Sequence, residues 1–316
     1  PPGPLERHET WVSVLDGPMI RLTHTSHLTI EGLTLEYGRG SGIEIIGGVN
    51  NLVTRCTLRN LGTLAVRIAR DPARPDEHAR GNGVSYCRIH DCGDGGVWLE
   101  GGDRKTLAPA GHFAENNHIH RYQRRCLTYR PGVMIQGVGQ RVAHNHIHDA
   151  PHTAILLGGN EHLIEYNEIH NVCAQSGDAG AFYMGRDLTQ RGNIVRYNYF
   201  HDIHGVRDQK GFTDVMGVYL DDCTCGTTVY GNIFRNVSRA VLVGGGRDNM
   251  IDNNIFVDCR IAIHVDARAT SWAKFWWDGT DNTLIDRLKA VNAAHPPYSE
   301  RYPQLAGILD NEPALP

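Results

Sequence analysis

Two short patterns of apolar and polar positions alternate along nearly the whole chain. The first sets one apolar residue between two variable ones and opens on Asn, as in Asn117-His118-Ile119-His120, Asn145-His146-Ile147-His148 and Asn167-Glu168-Ile169-His170. It continues as Asn198-Tyr199-Phe200-His201, Asn232-Ile233-Phe234-Arg235 and Asn254-Ile255-Phe256-Val257, and weaker copies start at Leu33, Cys56 and Cys87. The second pattern opens on Gly or Ala. Examples are Gly96-Val97-Trp98-Leu99-Glu100, Gly132-Val133-Met134-Ile135-Gln136, Gly180-Ala181-Phe182-Tyr183-Met184 and Gly217-Val218-Tyr219-Leu220-Asp221. Its second and fourth positions are apolar and often β-branched, whereas its third and fifth vary. Alternation with period two predicts a half-buried strand for each copy.

The first pattern begins at 33, 56, 87, 117, 145, 167, 198, 232 and 254, so its spacing runs from 22 to 34 residues. A repeat with a floor near 22, lengthened by irregular insertions, is the mark of a solenoid. The repeat is too short for a propeller blade, and the Leu-x-x-Leu-x-Leu signature of leucine-rich repeats is absent. The expectation is an all-β chain folded as a parallel β-helix of about nine coils. Residues 1–25 form a lead-in or cap, and 26–267 form the coils. Residues 268–316 form an aromatic, partly helical and Pro-rich segment that caps the solenoid, lies along it or interrupts it.

The Asn column is expected to be structural, because stacked buried amides can satisfy one another and the turn backbone. Cys56 and Cys87 share one inward column as small buried groups, and a disulfide fits their spacing. The column of His90, His120, His148, His170 and His201 faces outward. It offers a site for a metal or an anionic glycan, but a solvated stacked face is the preferred reading.

The 316 residues suffice for one large core, and the 36 Gly suit a fold with frequent turns. A net charge of −4 gives no footing for nucleic acid. No apolar run is long enough to span a membrane, and no leader is visible. The chain starts at Pro1 rather than Met, consistent with a natural N-terminus lying further upstream. Eight Cys without a CxxC spacing define neither zinc nor compartment. A monomer or weak oligomer is expected.

Insertions in a solenoid emerge as loops, often on the binding side. The longest carries Gly205-Val206-Arg207-Asp208-Gln209-Lys210-Gly211, and another carries Arg70-Asp71-Pro72-Ala73-Arg74. Two places break the local pattern. Ser176-Gly177-Asp178-Ala179-Gly180-Ala181 sets a carboxylate among small residues, and Tyr219-Leu220-Asp221-Asp222 sets two at a strand end. Paired carboxylates suit acid/base work because like charges push their pKa values apart. A cap role for Asp178 and turn roles for Asp221 and Asp222 weigh equally. On a straight strand Asp178 and Asp221 would stand roughly 20 Å apart, so one shared site requires the chain to bend. Arg130 and His152 align with Asp178 in the two preceding coils. Trp98, Phe182 and Tyr219 align in one outward column, placed either to stack on sugar rings or to lie under a loop.

The string from Asn167-Glu168-Ile169-His170 through Ser176-Gly177-Asp178-Ala179-Gly180-Ala181-Phe182-Tyr183 to Tyr219-Leu220-Asp221-Asp222 and Tyr230-Gly231-Asn232 resembles secreted right-handed parallel β-helix proteins of carbohydrate-degrading bacteria. Within these it is most similar to glycoside hydrolase family 141, which includes α-L-fucosidase and xylanase members. The resemblance implies a right-handed helix, a secreted or periplasmic location and a plant or algal glycan as substrate. It also implies two catalytic Asp residues, at Asp178 and at Asp221 or Asp222; no metal and no cofactor are expected for a hydrolase of this kind. In such a pair one carboxyl protonates the leaving oxygen and the other acts as base or nucleophile. A separation of about 5 Å gives retention and about 6.5–9.5 Å gives inversion. A lyase or C5-epimerase on the same scaffold is the alternative. It would use Arg130, His152 and Arg186 toward a uronic acid, with calcium as a possible cofactor. A non-catalytic glycan-binding β-helix is the third reading.

Overall fold

A computed structural model of the chain describes residues 12–74, 79–206 and 213–310. Arg207 to Gly211, in the longest insertion, lie outside these residues. The alternating phrases form strands, and the strands build three parallel sheets. The first sheet has ten strands, from Ile20–Thr23 to Ile261–Asp266. The second and third have nine each, from Thr29–Glu31 to Met250–Asp252 and from Thr34–Glu36 to Ile255–Val257. The chain visits the sheets in turn, and each circuit pairs in parallel register with the next. The result is the all-β parallel β-helix that the spacing predicts.

The core fills the inside of the coil. Third-sheet strands send their middle residue inward, so Ile89, Ile119, Ile147, Ile169, Phe200 and Phe234 are fully buried. The rings of Phe200, Phe234 and Phe256 stack at 5.1 and 5.3 Å, close to the ~4.8 Å spacing of the strands that carry them. First-sheet strands send in their second and fourth positions, such as Val97 and Leu99. Their opening residue also turns inward, where the chain rounds a corner into the sheet. A Cβ on Gly132 would come within 2.9 Å of Ile147 Cγ2. Two consecutive inward positions leave room only for a small first residue, which explains the Gly or Ala there.

The Asn column is a continuous ladder. Asn145 Oδ1 accepts from the backbone N–H and the side-chain amide of Asn117, both at 3.0 Å. Asn145 Nδ2 donates to Ala114 O at 2.8 Å and to Asn167 Oδ1 at 3.0 Å. The same bonds repeat through Asn198, Asn232 and Asn254. A second ladder, not apparent in the sequence, runs along the corner before the second sheet. There the backbone N–H of one residue donates to the side chain of the next, from Asn51 to Asn82 to His112 and again from Gln140 to His162 to Asn193.

The His column departs from the expected solvated face at its His90 and His120 end, whereas His148, His170 and His201 stay partly exposed. His90 and His120 are buried, and successive rings of the column stack at 4.6 to 5.0 Å. Strand spacing brings each ring into van der Waals contact with the next, which excludes water. Burial, followed by neighbouring charge, pushes the His120 imidazole down to about 3. Cys56 and Cys87 are free thiols.

The segment after the last strand lies along the solenoid. Trp276, Leu284, Tyr298, Tyr302 and Leu305 pack against Leu188, Cys223 and Cys225 in turns beyond the first sheet. Tyr298 Oη donates to Asn160 Oδ1 at 3.2 Å, and Tyr302 Oη donates to Glu161 Oε1 at 3.0 Å. Among the described residues the segment does not cover the end of the coil, where the inward-directed Ile263 and Val265 stay 44% and 55% exposed. Among the described residues no helix is long and apolar enough to cross a membrane.

Two outcomes are expected. Asn145→Ala removes both ladder contacts and leaves Asn117 N–H buried without its acceptor, costing about 1–3 kcal/mol in denaturant unfolding. A loss below ~0.5 kcal/mol would mean that the ladder is not stabilising. The second concerns His162, which burial pushes down to about 3. The unfolded chain therefore binds the extra proton, so stability falls as pH drops from ~6.5 toward ~3. His162→Asn should flatten that part of a thermal-melt pH series, and an unchanged slope would exclude His162 as its source.

Candidate active site

The strands Ala179–Gly185 and Val215–Asp221 are neighbours in the first sheet. Asp178 immediately precedes one, and Asp221 ends the other. The separation expected for a straight strand does not apply, because the strand rounds a corner. Ala181 and Phe182 are consecutive and both fully buried, so the alternation breaks there. Asp178 and Asp221 consequently line one cavity of about 340 Å³. Two tyrosines occupy the space beside them. Tyr219 Oη donates to Asp178 Oδ1 at 3.0 Å, and Tyr183 Oη donates to Asp221 Oδ2 at 2.8 Å. Their rings meet edge to face at 5.4 Å.

The outward aromatic of that coil is Tyr183, not Phe182. The register pairs Phe182 with Ile155 and Val218, and Tyr183 with Leu156 and Tyr219. Phe182 is a core residue and makes no part of the site. The copy opens on Ala181 rather than Gly180, and two adjacent small residues hide that one-residue offset in the sequence.

Arg268 dominates the electrostatics, and sequence reasoning missed it. It follows the last strand by two residues and turns back over the sheet. Its Nη1 donates to Asp221 Oδ1 and, at 2.9 Å, to Asp222 Oδ1, while its Nε donates to Asp266 Oδ2 at 3.3 Å. The guanidinium is buried and sits 5.2 Å from the Trp272 ring centre. Gly244 makes space for it: a Cβ there would lie 2.5 Å from the guanidinium. Burial opposes the Arg268 charge, but Asp221 and Asp222 raise its pKa. Asp221 is raised above the usual carboxylate range by burial and then by Asp222, with Arg268 pulling the other way. Burial and then the Asp221 charge push the Tyr183 hydroxyl up.

Asp222 is clamped between two arginines, accepting from Arg186 Nε at 2.6 Å through Oδ2. Arg186 is held in turn by Arg287, whose Nη1 donates to the Arg186 carbonyl at 2.5 Å. Arg239 pairs with Asp214 at 3.2 Å. The cavity thus collects Asp178, Asp214, Asp221, Asp222 and Asp266 against Arg186, Arg239 and Arg268. Tyr183, Asp214, Arg239, Asp266, Arg268 and Trp272 were not among the sequence candidates. A correct alignment would have found Tyr183. The arginines carry no repeat signal.

Three further candidates lie outside the cavity, as Phe182 does. Trp98 keeps the predicted outward column, but four coils from Tyr219, with the Arg67 guanidinium 6.0 Å from its ring. His152 is buried one coil away with Nδ1 2.8 Å from Thr153 Oγ1, and burial lowers its pKa. Arg130 is one coil further and approaches Asp94 at 3.9 Å. A larger cavity of about 1030 Å³ opens near the other end of the sheet edge, lined by Arg70, Arg80, Glu100, Arg104, Lys105 and Gln136. It holds no tyrosine–carboxylate arrangement of this kind. Glu100, Gln136 and Gly158 share one register column at that cavity, and Gly185 pairs with Asp221 at the carboxylate site.

The sequence model of the right-handed β-helix region matches residues 18–127 and 131–275. No curated protein sequence matches. Among solved structures a glycoside hydrolase is similar at 17% identity and a TM-score of 0.52, over 69% of this chain and 38% of that one. An alginate lyase from Paenibacillus sp. str. FPU-7 is similar at 13% identity and a TM-score of 0.43, over 78% of this chain and 92% of that one. This chain therefore spans well under half the length of the glycoside hydrolase, and at such identity the likeness is one of fold. The family match takes in strands of all three sheets, and the chain belongs to the right-handed β-helix family.

Proposed function

We propose that the chain is a carbohydrate-active enzyme that hydrolyses a plant or algal glycan with Asp221 as acid and Asp178 as base or nucleophile. The observation that carries this reading is the meeting of the two carboxylates in one cavity, each hydrogen-bonded by its own tyrosine. Asp221 is buried beside a like charge, which favours the protonated form that a general acid needs. Asp178 is exposed to the cavity mouth, where water or a sugar carbon can reach it. Asp222 has both oxygens committed to arginines and serves to position Arg268 and Arg186. Trp272, 63% exposed on the rim, offers a platform for a sugar ring. The resemblance to glycoside hydrolase family 141 supports Asp178 together with Asp221 or Asp222, and a glycan substrate supports a secreted or periplasmic location.

A lyase or epimerase that neutralises a uronic acid with arginine alone fits less well. That chemistry needs positive charge for the substrate carboxylate. Here Arg186, Arg239 and Arg268 are each paired with a carboxylate, and the cavity lining holds five Asp against three Arg. A non-catalytic glycan-binding β-helix predicts that removing Asp178 or Asp221 leaves ligand binding unaltered.

Mass spectrometry of products from fucosylated, xylan and uronic-acid glycans tests the reading. Products heavier by one water are expected, with turnover lowered at least ~100-fold in Asp178→Asn and in Asp221→Asn. Unsaturated products would replace hydrolysis by elimination. Turnover unaffected in both variants would remove the pair from the chemistry. Arg268 gives a second test. Arg268→Met strands two buried carboxylates and should cost about 3–5 kcal/mol in denaturant unfolding. A loss below ~1 kcal/mol would show that the arginine does not hold the site together.

A further inference from the structure

The third sheet carries a second cluster of chemistry-bearing side chains, separate from the carboxylate cavity. Its outward positions form two columns. One pairs Arg88, His118, His146, Glu168 and Tyr199 in register, and the other pairs His90, His120, His148, His170 and His201. The columns also meet diagonally. His118 Nε2 lies 2.7 Å from His148 Nε2, and His146 Nε2 lies 2.8 Å from His170 Nε2. At such distances at most one proton lies between the two nitrogens, so one lone pair of each couple faces the shared space. The ladder is not closed by protein hydrogen bonds. His120 is 2% exposed, and neither of its ring nitrogens has a hydrogen-bond partner among the described residues.

We propose that His146, Glu168 and His170 form a binding site for a divalent transition-metal ion of the zinc class. One ring nitrogen of each histidine and a Glu168 carboxylate oxygen lie within 4.8 Å of one another. Two imidazoles and one carboxylate are a donor set suited to a borderline ion, with a fourth position left for water. Ligands about 2.1 Å from a tetrahedral ion stand about 3.4 Å apart, so the His146–His170 couple need open only slightly to admit one. Glu168 supplies charge that the His118, His146 and His148 group lacks, and it is held from behind. His201 Nε2 lies 3.2 Å from Glu168 Oε1, and His201 Nδ1 lies 2.7 Å from Asp202 Oδ2. Asp202 is fixed in turn by Asn236 at 2.6 Å and Arg235 at 2.9 Å. Such outer contacts orient a metal-binding carboxylate. His146 belongs to both candidate groups, so the cluster takes one ion at a time.

Calorimetric titration of the chelator-stripped full chain with zinc chloride tests the site. One equivalent is expected to bind. His146→Asn and Glu168→Gln should each weaken binding at least ~10-fold, whereas Asp221→Asn should leave it unaltered. Glu168 is half exposed, so its variant keeps the fold even if loss of the His146 ring disturbs the stack. Unaltered melting in chelator confirms this for each variant. Absence of zinc binding, or equal affinity in wild type and Glu168→Gln, would overturn the proposal and leave a stack of hydrogen-bonded imidazoles. Loss of binding in Asp221→Asn would move the ion to the carboxylate cavity and overturn it as well.

Discussion

Every coil of this protein must sit on the next at the spacing of hydrogen-bonded parallel strands, and most of the structure follows from that constraint. Equivalent residues are stacked about 4.8 Å apart whatever their chemistry. Where the residue is Asn, each amide can both donate and accept along the column, and a corner that would otherwise bury unmet backbone groups becomes a ladder. Where it is Phe, the rings stack in the core. Where it is Gly or Ala at the entry to the first sheet, two consecutive residues can turn inward without collision.

The carboxylate site is made where this repetition is interrupted. The corner at Ala181 and Phe182 carries Asp178 around to the face that Asp221 occupies. Gly185 and Gly244 take the positions on either side of Asp221, so the column has space where other coils carry side chains. That space is filled by Arg268, which brings one buried positive charge to Asp221, Asp222 and Asp266. Buried carboxylates at this density need such a counter-charge. The segment after the coils is therefore part of the site. It supplies Arg268 and Trp272, and through Arg287 it fixes Arg186.

The histidine face shows the same constraint acting on a polar surface. Residues that would each be solvated on an isolated strand lose water to the neighbour stacked above and below. His120 thereby becomes as inaccessible as many core residues while lying on the outer face. A row of one residue type in register creates an environment that none of its members has alone.

The repeat itself was legible in the amino-acid sequence. Period-two alternation sets which residues face inward, and the floor near 22 residues sets the coil, because both express backbone geometry that every copy shares. The Asn column and the exceptional carboxylates at Asp178, Asp221 and Asp222 were visible for the same reason, as identity or departure at one repeated position. Tertiary structure decided what depends on exact register and on residues outside the repeat. A one-residue offset exchanged Phe182 for Tyr183, since strand pairing rather than local pattern sets which of two adjacent aromatics faces out. Arg130, His152 and Trp98 were separated from the carboxylates because each coil step moves a residue by a full strand spacing. Arg268 reached the site through a chain reversal that no periodicity encodes, stabilised by the buried negative charge it meets.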